Sequence, residues 1–127
     1  MTGGNKIAPT LRFDFETGAR LGPGKAQLLE LIAEHGSIRA AGAAIGMSYR
    51  RAWMLADETN RMFKEPSVAT QHGGKSGGGA VLTAFGTELL ARYRAMEDKA
   101  AAAYADDLDW LALHMDAGFT KAGKEEG

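Results

Sequence analysis

"SIRAAGAAIGMSYRRAW", residues 37–53, decides how the rest of this chain is read. Ser37 stands where a helix N-cap belongs, ahead of a short run whose alanines and Gly42 leave little bulk between crossing helices. Gly46 stops that run, and Ser48 offers a second cap in front of "YRRAWMLADETNRMFKE", which Pro66 closes. Within this helix Ala52, Leu55, Ala56, Thr59, Met62 and Phe63 recur at helical spacing and make an inward stripe. Arg50, Met54, Asp57 and Arg61 lie opposite, with Arg51 and Glu58 alongside. A short helix, a tight turn, a polar cap and a second helix opening on basic residues is the pattern of a helix-turn-helix. Its second helix would offer Tyr49, Arg50 and Arg51 to base edges and phosphates, with Arg39 as a further contact. Trp53 is balanced between touching DNA and packing at the helix crossing.

Working outward, "LRFDFE" (11–16) alternates apolar and polar residues as a half-buried strand does, and "TGARLGPG" is rich in turn residues. From Lys25 a helix places Leu28, Leu29, Leu31 and Ile32 on one face and ends at Gly36. Downstream, "SVAT" and "AVLT" are extended runs flanking "HGGKSGGG" (72–79), which together read as a hairpin with a long tip. That glycine stretch is no phosphate-binding P-loop. Gly74-Lys75-Ser76 would need a glycine at position 69, which is Ala69, and no helix follows. The dinucleotide pattern fails in the same way at Leu82 and Gln27. Beside a helix-turn-helix, the hairpin reads as a wing whose Gly74, Lys75 and Ser76 touch the DNA backbone.

After the hairpin, Thr83 caps a long helix. Leu89, Tyr93, Met96, Ala100, Tyr104, Leu108, Leu111 and Met115 continue in steps of three and four. Asp106 and Asp107 could instead cap a separate last helix, and both versions stay open. The stripe spans about six turns, and a compact winged domain covers the first turn, where Leu89 and Leu90 sit. The remainder predicts a homodimer interface, since soluble monomers rarely leave such a strip bare. The expected fold is mainly α with a small β component: a winged helix-turn-helix (11–82) followed by a long C-terminal dimerisation helix or helices (83–117). Flexible tails are expected at 1–10 and 118–127.

The bulk numbers agree. A chain of 127 residues, 45% hydrophobic and 24% charged, suits one domain. No apolar run reaches the roughly 20 residues of a membrane span, and the N-terminus has no secretory core, so a cytoplasmic protein is expected. With no cysteine there is no thiolate chemistry. The net charge of −1 hides +3 over residues 1–82 and −4 over 83–127, and Arg39 to Ala56 holds three arginines and no acid. His35, His72 and His114 lie far apart, and Asp106, Asp107 and Asp109 lack the glycine and distal glutamate of a calcium loop. No nucleophile–base or paired-carboxylate grouping can be placed, so no enzyme, metal or cofactor is expected. Competing readings are a protein–protein module on the same scaffold and a small oxyanion-binding protein using the glycine loop.

From "GPGKAQLLELIAEHGSIRAAGAAIGMSYRRAW" through "GGKSGGGAVLTAFG" the chain resembles the N-terminal DNA-binding domain of the ModE-type, molybdate-responsive transcriptional regulators. It is more distantly similar to the LysR-type helix-turn-helix. The similarity covers roughly residues 20–97. It implies a homodimer that binds a palindromic operator in double-stranded DNA, usually as a repressor of molybdate-uptake or molybdoenzyme genes. It also points to Ser48, Tyr49, Arg50, Arg51 and Trp53 in the recognition helix and to Gly74, Lys75 and Ser76 in the wing. Thr70 departs from the family, which commonly has an arginine near that place. Family members bind molybdate in C-terminal domains that would begin about where this chain ends, so direct molybdate binding is not expected of it.

Overall fold

A computed structural model describes residues 7–71 and 78–121. It is mostly helical, with two small antiparallel sheets. In chain order it has β1 (Phe13–Asp14), β2 (Arg20–Leu21), α1 (Pro23–His35), α2 (Ile38–Ala44), α3 (Tyr49–Met62), β3 (Val68–Gln71), β4 (Gly79–Leu82), α4 (Ala84–Ala103) and α5 (Ala105–His114). The hairpin tip with Gly74, Lys75 and Ser76 lies outside the described residues, as do most of the two expected tails. The described residues divide into two compact units: Thr10–Asp98, and a second built from 99–121 together with 7–9.

In the Thr10–Asp98 unit, helix ends follow local chemistry. Gly36 takes φ +77 just past α1, and its N–H donates to the Ile32 carbonyl, the left-handed stop that favours glycine. Ser37 and Ser48 each accept a backbone N–H three residues on, from Ala40 at 3.0 Å and Arg51 at 3.1 Å, and so cap α2 and α3. Between these helices Gly46 turns the chain at φ +68. Gly42 lets α2 and α3 close up: a Cβ there would stand 2.8 Å from the Ala52 Cβ. Thr83 caps α4 by accepting the Gly86 N–H at 2.9 Å.

The main core joins Leu28, Leu29 and Ile32 of α1 to Ile38 and Ala41 of α2, Ala52 and Ala56 of α3, and Val68 and Ala80 of the hairpin. Fully burying one such leucine or isoleucine contributes about 1.5–3 kcal/mol. The hairpin pairs Val68 with Leu82 and Gln71 with Gly79, and the Ala80 N–H donates to the Gly36 carbonyl at 2.8 Å, tying β4 to the α1–α2 corner. Asn60 of α3 fixes where the hairpin begins. Its Oδ1 accepts the N–H groups of Ser67 and Val68, both at 2.8 Å, and its Nδ2 donates to the Val68 carbonyl at 3.0 Å.

Three sequence-based expectations are corrected here, and one question left open is decided. α3 stops at Met62 rather than running to Pro66, because Phe63 turns extended and packs its ring between Phe15 and Phe85, with centroids 5.6 and 5.4 Å away. The strand expected over 11–16 pairs at just Phe13 and Asp14, where it meets Leu21 and Arg20. The C-terminal segment is two helices, since Tyr104 separates α4 from α5. Tyr93, placed in the exposed stripe, is fully buried against Leu21 and Ala26, and its hydroxyl donates to the Leu11 carbonyl at 2.6 Å. Burial raises the Tyr93 hydroxyl above its ordinary value of 10.0, with the Glu97 carboxylate adding to the effect.

Candidate functional site

The residues expected in the recognition helix stand at the start of α3. Tyr49 and Trp53 are 43% and 45% exposed, on the same side of the helix one turn apart, and Arg50 and Arg51 are exposed beside them. Trp53 therefore does not pack at the helix crossing; Ala52, wholly buried, fills that place. The Ser48 cap sets where the helix begins, and Ala52 and Ala56 press its other side onto the core. Tyr49, Arg50 and Trp53 line one shallow apolar recess. A broader one of about 530 Å³ continues along the outer face past Arg51, Met54 and Arg61.

The charges around this face divide into paired and unpaired ones. The two acids on this face are occupied: Asp57 pairs with Arg61 at 3.0 Å, and Glu58 with the nearly buried Lys25 ammonium at 3.0 Å. Lys25 also donates to the Arg20 carbonyl at 2.8 Å, so its burial is compensated. Among the described residues no carboxylate pairs with Arg39, Arg50 or Arg51. Arg39 of α2 lays its guanidinium over the Tyr49 ring, 4.2 Å from the centroid. The role of Lys25 and the Arg39–Tyr49 stack were not expected from sequence. The first had no signal; the second had two adjacent capped helices, which bring Arg39 and Tyr49 near one another.

The residues expected in a dimer interface do not form one group. Leu89 is half-buried against the core of the Thr10–Asp98 unit, and Tyr93 lies inside it. Met96, Ala100, Tyr104 and Leu108 are half-buried, whereas Leu111 and Met115 are exposed. α5 has no buried residue, and Trp110, Leu113 and Phe119 are also exposed. Among the described residues no cluster of His, Cys, Asp or Glu could hold a metal. No helix among them is long and apolar enough to cross a membrane.

This is a mostly helical domain with an open, cation-bearing helix face, and its relatives say what company such a domain keeps. No family model matches the chain. It is 46% identical over 81 residues to "Molybdenum-pterin-binding protein MopB" of Rhodobacter capsulatus, covering 64% of this chain and 30% of that protein. It is 38% identical over 105 residues to "Molybdenum transport protein ModE" of Azotobacter vinelandii, covering 83% and 37%. It is 38% identical over 95 residues to "DNA-binding transcriptional dual regulator ModE" of Escherichia coli (strain K12), covering 72% and 36%. The homologues of this chain are thus molybdenum-pterin-binding and ModE proteins, and the chain spans about a third of their length. None of these names describes an enzyme. Two relatives are named for binding molybdenum-pterin, which counts against the expectation that this chain does not bind molybdate directly.

Proposed function

We propose that this chain is a sequence-specific, double-stranded-DNA-binding transcriptional regulator of the ModE type, acting as a repressor. In this reading α2 and α3 are a helix-turn-helix, β3 and β4 are its wing, and α3 enters the major groove. The observation that carries it is the start of α3, where Tyr49, Arg50 and Trp53 are exposed on a helix anchored from behind and no described carboxylate pairs with Arg50 or Arg51. Arg50 and Arg51 have the fork that pairs with guanine edges or phosphates, and Tyr49 and Trp53 have flat apolar rings suited to a thymine methyl. Lys75, with Gly74 and Ser76, contacts the backbone from the wing.

The chain acts as a homodimer on a palindromic operator. Met96, Ala100, Tyr104, Leu108, Leu111 and Met115 supply the contact, and the exposed apolar side chains of α5 support it. The genes it controls serve molybdenum use, in keeping with the relatives' names.

Selection of bound duplexes from a random pool, repeated with and without molybdate, tests this reading. The expected result is one palindromic sequence. Arg50→Ala and Arg51→Ala should each weaken binding to it by about 1–3 kcal/mol if they read bases. An unselected pool, or unchanged affinity in both variants, overturns the assignment.

A further inference from the structure

Arg39 is an exposed cation that the fold has already positioned. Its guanidinium lies 4.2 Å from the centre of the Tyr49 ring. Stacking occupies the flat face of the group and leaves the N–H donors around its edge free, in the planar fork that matches two oxygens of a phosphate. No described carboxylate takes those donors. Beside Arg39 a recess of about 230 Å³ opens between α2, α3 and the hairpin, with Ser37, Thr70 and Gln71 among its walls. Ser37 spends its hydroxyl on capping α2, whereas Thr70 and Gln71 are exposed at the end of β3.

We propose that Arg39, held by Tyr49, clamps one phosphodiester of the DNA backbone in this recess. The inference rests on the DNA-binding reading above and adds a residue pair and a ligand group to it. Arginine ordinarily loses rotamer freedom when it binds. Here the ring has removed much of that freedom beforehand, so a single phosphate contact is retained more fully as affinity. The clamp is indifferent to base identity. It also sets the register of α3, because Tyr49 is the first residue of that helix.

The test is ethylation interference and salt-dependent binding on a selected duplex. Arg39→Ala should erase interference at one phosphate per half-site and lower the salt slope by about one unit. Specific and nonspecific affinity should fall together, by about tenfold, the size of one charge-assisted contact. Arg39→Lys should keep the salt slope but recover part of the affinity. Tyr49→Phe should retain the clamp, whereas in Tyr49→Leu a further Arg39→Ala change should have little additional effect. Arg39 is exposed, so these variants are expected to melt with the unaltered protein. An unchanged interference pattern and salt slope in Arg39→Ala, with Arg50→Ala still impaired, overturns the clamp and leaves DNA binding standing. An unaltered protein that retains no duplex overturns both.

Discussion

α1 and α5 are built from similar material and meet opposite fates. α1 buries Lys25, Ala26, Leu28, Leu29 and Ile32, while α5, with Leu108, Trp110, Leu111 and Leu113 in ten residues, buries none. The leucines of α1 find the small side chains of Ala41, Ala52 and Ala56 facing them. In α5 Trp110 stacks on His114 of the same helix, 4.3 Å between ring centres, Leu108 is half-buried, and no residue is fully buried. Apolar content therefore does not decide burial; a complementary surface within reach does. The stripe from Leu89 to Met115 shows the same division along one stretch of sequence, since Tyr93 is wholly inside and Leu111 is 48% exposed.

The most severe way to break this contrast is Tyr93→Ala. Losing a fully buried aromatic should cost about 3–5 kcal/mol, read as a lowered urea midpoint with little change in slope. Next comes Gly86→Ala, since a Cβ there would collide with the Ser67 carbonyl. Overpacking of this kind costs about 1–3 kcal/mol, and thermal melting should show it despite alanine's better helix propensity. Tyr93→Phe is milder, about 1 kcal/mol for the lost hydrogen bond to Leu11. It also carries a pH signature. Because the folded hydroxyl titrates above 10.0, its contribution is complete below pH 10.0 and is lost as pH climbs from there toward the folded value. The stability gap between the two proteins should therefore narrow in that alkaline window, measured by denaturation at fixed pH steps. On the other side of the contrast, Leu113→Ala should shift stability by no more than about 0.5 kcal/mol. Leu108→Asp with Leu111→Asp should leave the Thr10–Asp98 unit folded by circular dichroism yet give monomers by light scattering. A monomer in the unaltered protein at tens of micromolar would instead leave α5 without its proposed occupant.

What could be read from sequence was what local chemistry decides. Ser37, Ser48 and Thr83 cap helices because a side-chain oxygen reaches a backbone N–H three residues on, and Gly36 and Gly46 turn the chain where a left-handed residue is required. The exposed cluster of Tyr49, Arg50 and Arg51 followed from the same caps. What escaped depends on long-range partners. Tyr93 is claimed by Leu11, 82 positions away, and helical periodicity cannot distinguish a side chain buried in its own fold from one awaiting a second chain. Phe63 continues the periodic stripe of α3 in sequence, but two distant rings draw it out of the helix. The burial of Lys25 leaves no mark in the sequence around it, because its partner Glu58 stands 33 residues later.

If the chain binds DNA as proposed, Asn60 has a consequence for the spelling of the site. One amide on α3 holds Ser67 and Val68, where the hairpin begins, by three hydrogen bonds, so in the proposed complex the helix in the groove and the root of the hairpin act as a single gauge. A gauge tolerates substitution at the marks it does not touch, but not a change in the distance between its marks. Deleting or inserting one base pair between the bases under α3 and the phosphate under the hairpin would move the two along and around the duplex together. The protein would then engage one mark and forfeit the other.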